Sequence, residues 1–292
     1  MQLPNSPSNP GRPQARRPAA GWPPGEVGVM GILNLTPDSF SDGGRWQDPD
    51  AALRQAGRML RQGARVLDLG AQSTRPGAVT IGPEQELRRL LPALRLIRAA
   101  HPAAILSVDT FHAAVAAAAL AAGADWINDV SAGRADPAMA TVLAEHGCPC
   151  VLMHSRGDSQ SMEALTDYDD VVEDVRQELR RSTDRLLAAG VRPDRILWDP
   201  GLGFAKTAEQ NLKLLQGLPH LSRDGFPLLV GPSRKRFIGA VLNEPRPRAR
   251  LWGTAAVCVQ AVLAGAALLR VHDVGPIQQV VRMAAALRPD AG

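Results

Sequence analysis

The chain has 292 residues, of which 45% are hydrophobic, 21% charged and only 4% aromatic, which predicts a large domain with an aliphatic core. The net charge is only +4, and three of the arginines lie within the first 17 residues, which argues against a nucleic-acid-binding surface. The odd number of cysteines, three, argues against a disulfide framework. No run of about 18 apolar residues predicts a membrane span, and the first residues lack the apolar stretch of a secretion signal. We therefore expect a cytoplasmic protein.

Residues 1–25 differ in composition from the rest of the chain. They contain seven prolines and no apolar periodicity, which predicts a disordered or polyproline-like tail outside the fold. No further shift in composition follows, so residues 26–292 are expected to form a single domain.

From Glu26 onwards, short apolar runs alternate with helical patterns. The runs are rich in Val, Leu and Ile and lack polar alternation, as expected of strands buried on both faces of a parallel sheet. The predicted strands lie within residues 27–34, 64–70, 103–109, 125–130, 148–154, 195–200, 227–231 and 268–274.

The segments between these runs carry helix signals. Asp-Pro pairs at 48–49 and 136–137 each place a capping carboxylate before a proline at the first helical position. Glycines at 123, 147 and 190 predict helix ends. Eight strand–helix units in about 265 residues predict an α/β fold of the (β/α)8 TIM-barrel type, which typically needs about 250 residues. A doubly wound open sheet, which usually has fewer strands, is the alternative.

Polar side chains occur at or just beyond the end of every predicted strand. In chain order they are Asn34, Asp68, Gln72, Ser73, Thr74, Arg75, Asp109, Asn128, Asp129, His154 next to Met153, Asp199, Ser233, Arg234, Lys235, Arg270 and His272. The active site of a TIM barrel lies at the carboxyl ends of its strands. One strand-end Asp or Asn often only caps a loop, but such residues on all strands predict a ligand pocket at this rim.

The types of side chain indicate the kind of ligand. Asp109 and Asp199 can accept hydrogen bonds from the N–H groups of a heterocycle, and Asn128 can both donate and accept. Donors for an anion such as phosphate are supplied by Arg75, Lys235, Arg270 and His272. We therefore expect a polar heterocycle that carries phosphate.

These motifs closely resemble those of the dihydropteroate synthases. The most specific is the block Met-Gly-Ile-Leu-Asn-Leu-Thr-Pro-Asp-Ser-Phe-Ser-Asp-Gly-Gly at residues 30–44. The shorter motifs follow in the family's order at residues 73–77, 107–110, 127–129, 199–204 with Lys206, 233–235 and 270–273. The resemblance covers residues 27–287 and itself implies a TIM barrel.

The resemblance also implies an activity. The family joins 6-hydroxymethyl-7,8-dihydropterin pyrophosphate to p-aminobenzoate and releases pyrophosphate, in folate biosynthesis. If pyrophosphate departs before the amine attacks, the enzyme must stabilise the leaving anion and exclude water, and it needs no strong base. Mg²⁺, which suits oxygen and phosphate ligands, and a homodimer formed through outer helices are further expectations.

Each matching residue acquires a role from the resemblance. The pterin would be bound by Asp109, Asn128, Met153, Asp199, Lys235 and Arg270. The pyrophosphate would be bound by Asn34, Arg75, Arg270 and His272, with Asn34 also a ligand of Mg²⁺. The p-aminobenzoate would be bound by Thr74, Pro76, Phe204, Lys235 and Arg236. Catalysis would depend on Asn34, Arg75, Lys235, Arg270 and His272.

Two of the matching motifs, at residues 36–44 and 73–77, are predicted loops that contain glycine and proline. They would be mobile and close over the reacting cation. The residues concerned are Thr36, Pro37, Asp38, Phe40 and Gly77.

Three positions depart from the family pattern. Gln72 stands where Glu is usual and is expected to alter the setting of Arg75. Ala205 stands where Gly is usual, which costs free energy if the backbone there has a positive φ. Arg236 stands where Ser is common, and it would either strengthen a contact with the p-aminobenzoate carboxylate or point to solvent.

Two other functions stay open at this point. A non-catalytic pterin-binding paralogue would be expected to show damage in the first loop or the anion site, and only Gln72 favours it. A methyltetrahydrofolate–corrinoid methyltransferase would keep the Asp and Asn contacts to the pterin but would not need the motifs at 73–77 and 233–235.

Overall fold

A computed structural model describes residues 26–36 and 48–287. Its sheet contains eight parallel strands, and each lies within a run predicted from the sequence. They are β1 (Gly28–Asn34), β2 (Val66–Gly70), β3 (Ile105–Asp109), β4 (Trp126–Asp129), β5 (Cys150–Met153), β6 (Ile196–Asp199), β7 (Leu229–Val230) and β8 (Leu268–Val271). The predicted tail at 1–25 and the loop residues Pro37, Asp38 and Phe40 lie outside the described residues.

The eight strands close into a barrel. Their order is β6-β5-β4-β3-β2-β1-β8-β7, and a parallel bridge between Trp198 and Leu228 joins the two outer members. The register places Gly70 opposite Asp109, and Asp109 opposite Asn128, so that neighbouring strands end at the same rim. The TIM-barrel prediction is confirmed, and the open-sheet alternative is wrong.

Ten α-helices surround the barrel in the described part of the chain. They are α1 (Pro49–Arg61), α2 (Pro83–Ala100), α3 (Ala113–Ala121), α4 (Met139–His146), α5 (Val171–Ala188), α6 (Ala208–Gln216), α7 (Leu218–Ser222), α8 (Arg236–Leu242), α9 (Leu251–Leu263) and α10 (Val274–Ala286). The start of α1 is as predicted, because Oδ1 of Asp48 accepts a hydrogen bond from the backbone N of Asp50 at 3.0 Å. Gly147 ends α4 with a φ of 58°, also as predicted. No helix within residues 26–36 and 48–287 has the length and apolarity that a membrane crossing requires.

The predicted start of α4 at Pro137 is wrong, since that helix begins at Met139. Asp136 accepts the backbone N–H of Ala138 through Oδ1 at 3.1 Å and that of Ala113 through Oδ2 at 2.8 Å. The carboxylate therefore joins the turn before α4 to the first residue of α3. Because this second contact spans 23 residues, a local capping pattern could not show it.

The hydrophobic core has two parts. The larger part fills the space between the strands and the helices. The smaller part lies inside the barrel, and we call it the apolar floor. It consists of Met30, Val66, Trp126, Val151, Leu197, Leu229 and Leu268.

Candidate active site

A polar layer lies inside the barrel directly above the apolar floor. Side chains alternate along a strand, so a residue two positions beyond a floor residue points to the same interior. Asp68, Asn128, Asp199 and Arg270 each stand two positions beyond a floor residue. The three shorter side chains are buried and Arg270 is partly buried. The strand period thus brings four polar groups to the predicted rim.

Asp68 is at the centre of this polar layer. Its Oδ1 accepts a hydrogen bond from Oγ of Ser107 at 2.6 Å, and its Oδ2 accepts from Nδ2 of Asn128 at 3.0 Å. Nε of Arg270 donates to the same Oδ2 at 2.6 Å, while Nη2 of Arg270 donates to Oδ2 of Asp109 at 2.5 Å. The partly buried Arg270 is thereby held between two carboxylates. The sequence placed Asp68 at the predicted rim but assigned it no ligand, although its position two residues after Val66 indicated that its side chain points into the barrel.

The charges of the polar layer compensate one another. Burial by itself would lower the pKa of Arg270, but the carboxylates of Asp68 and Asp109 raise it. Burial raises the pKa of Asp109, and the positive charge of Arg270 opposes that rise. Removing either partner would leave a buried charge without its counter-ion, which is destabilising. Arg270 and the two carboxylates therefore hold one another in place and present a polar surface to a ligand.

A second group forms around Asp199 at the end of β6. The backbone N of Gly201 donates to its Oδ1 at 2.8 Å, which fixes the orientation of the carboxylate. Burial raises the pKa of Asp199 and lowers that of Lys235 to about 8, and each charge opposes the shift of the other. Nζ of Lys235 lies 4.1 Å from the centre of the Phe204 ring, a cation–π contact. An acceptor, an ammonium and an aromatic face are thus adjacent.

The loops after β7 and β8 are fastened together by two pairs of side chains. Oγ of Ser233 lies 2.8 Å from Nδ1 of His272 and accepts the backbone N–H of that residue at 3.2 Å. Arg234, with a positive φ of 59°, pairs with Asp273 through Nε at 3.0 Å and Nη2 at 2.6 Å. These contacts fix the backbone that leads into Lys235 and the backbone at His272 and Asp273. Burial and the nearby arginines lower the pKa of His272 to about 3, so the imidazole is neutral at pH 7.

The loop after β2 is connected to the loop after β5. The backbone N of Gly77 donates to the carbonyl of Ser159 at 2.7 Å, and Oγ of Ser159 donates to the carbonyl of Ala78 at 2.7 Å. Arg75 is exposed on this loop, and its charge contributes to lowering the pKa of both Lys235 and His272. The predicted anion-binding arginine therefore faces the same mouth as the other cations.

The remaining predicted residues lie around this mouth. Met153 is buried at the end of β5, opposite Asp199 in the register. Asn34 ends β1 and is half-buried. Thr36, Thr74 and Pro76 are partly buried in the loops that follow β1 and β2.

The structure gives the setting of each of the three residues that depart from the family pattern. Ala205 has a φ of 49°, so the conformation that favours glycine is present and the alanine is strained. Gln72 accepts the backbone N–H of Ile81 through Oε1 at 2.7 Å, which ties together the two ends of the loop that carries Arg75. Arg236 is exposed and forms an ion pair with Glu163.

The chain matches the pterin binding enzyme family over residues 30–272. It is 50% identical over 259 residues to the dihydropteroate synthase of Synechocystis, with 89% of each chain covered. The dihydropteroate synthase of Xanthomonas albilineans has been solved with 4-aminobenzoic acid, and it superposes with a TM-score of 0.84 at 42% identity over 90% of this chain and 94% of that one. The same enzyme solved with 7,8-dihydropteroate gives a TM-score of 0.82 at 39% identity, over 93% and 98%.

The barrel is that of a pterin binding enzyme, and the chain belongs to that family, among the dihydropteroate synthases. It is accordingly a transferase of folate biosynthesis. The chain spans 36% and 47% of two longer folate synthesis proteins that it also matches. The similarity to dihydropteroate synthases favours that activity over the corrinoid methyltransferase that was the alternative from the sequence.

Proposed function

We propose that the polar layer binds 6-hydroxymethyl-7,8-dihydropterin pyrophosphate and that p-aminobenzoate displaces its pyrophosphate to give 7,8-dihydropteroate. The observation that carries the proposal is the buried group Asp68, Asp109, Asn128 and Arg270 next to Asp199 and Lys235. It offers acceptors for a heterocycle at the base of a mouth lined with cations. The Xanthomonas structures, with 4-aminobenzoic acid and with dihydropteroate, support the same substrates here.

The orientation of two side chains suits a pterin. Asn128 donates through Nδ2 to Asp68, so its amide oxygen is the group that would accept a ring N–H. Asp199 accepts the N–H of Gly201 through Oδ1, so Oδ2 would accept the exocyclic amino and ring N–H groups. Met153 would pack against the ring, and Arg270 would cover it while staying paired with Asp68 and Asp109.

The leaving pyrophosphate would lie among Asn34, Arg75, Arg270 and His272. Because the imidazole of His272 is neutral, the tautomer with its proton on Nε2 would donate to a phosphate oxygen while Nδ1 accepts from Ser233. These groups would stabilise the charge that develops as the carbon–oxygen bond breaks. No side chain in this set acts as a strong base, consistent with a neutral aromatic amine as the nucleophile.

Magnesium is part of the proposal, with Asn34 as its ligand. A Cβ atom built on Gly70 would lie 3.6 Å from Oδ2 of Asp109 and 3.9 Å from Oδ1 of Asn34, so the glycine leaves space between two oxygen donors. Within residues 26–36 and 48–287, no group of three or more His, Cys, Asp or Glu side chains could hold a metal ion. This donor set fits Mg²⁺, which is commonly bound by few protein oxygens together with substrate phosphates. When bound, it would neutralise part of the pyrophosphate charge.

The p-aminobenzoate would bind between Phe204, Lys235, Thr74 and Pro76. The aromatic ring would pack against Phe204, and the nearby ammonium of Lys235 would face its amine end. A role for Arg236 in binding the carboxylate requires that it release Glu163, with which it is paired.

The decisive experiment follows pyrophosphate release and dihydropteroate formation from the pterin pyrophosphate, with and without p-aminobenzoate, in the presence of Mg²⁺. We expect both products in equal amounts and only when p-aminobenzoate is present. Tight binding of the pterin pyrophosphate without turnover would instead establish a non-catalytic paralogue. Omission of Mg²⁺ with addition of a chelator is expected to abolish release, and unchanged release would refute the magnesium proposal.

We also propose a homodimer through α9 and α10, which pack against each other on the outside of the barrel. Trp252 is 78% exposed, and Leu263 lies eleven residues, or roughly three turns, further along the same face of α9. Met283 and Leu287 extend the apolar surface beside α10. Exposed apolar surface of this kind marks an association site. Sedimentation of the wild type as a dimer and of Trp252→Arg as a monomer is the expected result, and monomeric wild type would refute it.

A further inference from the structure

Lys206 closes the turn that follows β6, and none of the roles proposed above includes it. Its Nζ lies 3.1 Å from the carbonyl oxygen of Gly201, 3.0 Å from that of Phe204 and 2.9 Å from Nδ1 of His154. An ammonium group has three donors and no acceptor, so these three groups account for all of its hydrogen bonds. Burial lowers the pKa of Lys206 to about 7, and the carboxylate of Asp199 opposes that change.

The contact with Glu178 assigns the proton of His154. Oε2 of Glu178 can only accept and lies 3.0 Å from Nε2, so the ring proton is on Nε2 and Nδ1 is left to accept from Lys206. Burial, with the positive charge of Lys206, lowers the pKa of His154 to about 3 and keeps the ring neutral. Glu178 is held in turn by Nη2 of Arg156 at 2.6 Å. A continuous series of hydrogen bonds thus connects α5 to the turn.

The turn needs these contacts because its backbone is strained. Gly201, Gly203 and Ala205 have φ values of 67°, 77° and 49°. Alanine, unlike glycine, disfavours this left-handed conformation. The hydroxyl of Tyr168 donates to the carbonyl of Ala205 at 3.0 Å, next to the carbonyls that Lys206 holds. Side chains from outside the turn therefore determine its shape.

Phe204 lies within this turn. Its backbone N donates to the carbonyl of Gly201 at 3.1 Å, and its own carbonyl accepts from Lys206. Its ring is the one that contacts Nζ of Lys235 at 4.1 Å. The direction of the ring therefore depends on the two carbonyls bound to Lys206.

We propose that Lys206 is a positioning residue for the aromatic-amine subsite, which holds the carbonyls of Gly201 and Phe204 so that the Phe204 ring stays against Lys235. Lys206 does not touch either substrate. The inference rests on the proposed function, since it assumes that p-aminobenzoate binds against Phe204. It requires a selective effect on that substrate, because Asp109, Asn128, Asp199 and Arg270 lie on other strands or upstream of the turn. Lys235 is assigned to both substrates, but its backbone belongs to the loop after β7 and not to this turn.

The first test is Lys206→Met, which keeps all but the last atom of the side chain's length and removes its three donors. We expect the KM for p-aminobenzoate to rise about tenfold or more, and the KM for the pterin pyrophosphate to change by less than about twofold. Lys213→Met, an exposed lysine of α6, is the matched control and is expected to leave both constants unchanged. Equal rises in the two KM values, or no rise for p-aminobenzoate, would overturn the proposal.

A double-mutant cycle tests whether Lys206 acts through Phe204. In a Phe204→Leu background, Lys206→Met is expected to cause little further change in the KM for p-aminobenzoate, because the ring that it positions is gone. An undiminished effect of Lys206→Met in that background would show that Phe204 is not the intermediary, and would overturn the proposal.

Variants of His154 provide a second test of the proposal if Lys206→Met folds poorly. In His154→Asn, the amide oxygen takes the place of Nδ1 and still accepts from Lys206, whereas His154→Leu removes the acceptor. We expect only the leucine variant to raise the KM for p-aminobenzoate, and identical behaviour of the two variants would contradict the inference. Failure of the proposed function is distinguishable, since wild-type protein would then form no dihydropteroate at all.

Discussion

Asp199→Asn tests the assignment of the pterin site most directly. The backbone N–H of Gly201 donates to Oδ1 of Asp199 at 2.8 Å. An asparagine at this position must turn its carbonyl oxygen towards that N–H, so its NH₂ group takes the place of Oδ2 and faces the pocket. A donor would then oppose the N–H donors of the pterin.

The magnitude follows from these contacts. A hydrogen bond to a charged group contributes about 1.5–3 kcal/mol, and a buried donor left unsatisfied costs about 1–3 kcal/mol. Their sum is at least about 2.5 kcal/mol, which weakens the Kd for the pterin pyrophosphate roughly 70-fold or more. The free energy of unfolding is expected to change by less than about 1 kcal/mol, because the hydrogen bond from Gly201 is kept.

Titration calorimetry with the pterin pyrophosphate measures this Kd, and urea denaturation measures the free energy of unfolding. The matched control is Asp194→Asn, an Asp on the surface that pairs with Arg192, and its Kd is expected to equal that of the wild type. A Kd for Asp199→Asn within roughly threefold of the wild type, in a folded protein, would refute the assignment.

Asp68→Leu is expected to lower the free energy of unfolding by about 3–5 kcal/mol, because it removes one of the two carboxylates that pair with Arg270. A loss below about 1 kcal/mol, measured by urea denaturation, would contradict this. Because burial lowers the pKa of Lys235 to about 8, its ammonium loses its proton above that pH, so kcat/KM for the pterin pyrophosphate is expected to fall there. Lys235→Arg keeps its charge and should abolish this alkaline decline, and a decline that persists in the variant would exclude Lys235 as its cause. Arg234→Ala and Asp273→Ala are each expected to reduce kcat about tenfold, with no further loss in the double variant, because they break the same ion pair. Additive losses in kcat would show that the two residues act separately.

The location of the site could be predicted because it follows from the period of the strands. Val66 and Asp68, Trp126 and Asn128, and Leu197 and Asp199 are pairs in which an apolar residue precedes a polar one by two positions. That spacing places both members inside the barrel, the apolar one on the floor and the polar one nearer the rim. The barrel and the convergence of these residues are therefore consequences of local pattern.

Contacts between loops could not be predicted in this way. Lys206 and His154 are 52 residues apart, and Arg236 and Glu163 are 73 residues apart. Whether such side chains meet depends on the path of each loop and on the length of the side chains, and neither has a sequence period. For the same reason the sequence left two outcomes open for Arg236.

The setting of Ala205 could be predicted only in part. The sequence established the condition, that alanine is strained if φ is positive, but the sign of φ depends on the turn that Lys206 and Tyr168 hold. A strained residue of this kind persists because the surrounding contacts over-determine its conformation. The alanine at position 205 therefore indicates these contacts only once the backbone conformation is known.

The hydrogen bond between Arg270 and Asp68 joins residues 202 positions apart in the chain. Contacts of such long separation form late in folding, because the entropy of closing the loop must be overcome before they add stability. Because β8 is the last strand of the barrel in chain order, the proposed pterin pocket has neither its arginine nor its closed wall until β8 has left the ribosome. The substrate can stabilise the finished barrel by mass action, but it has no site on the nascent chain.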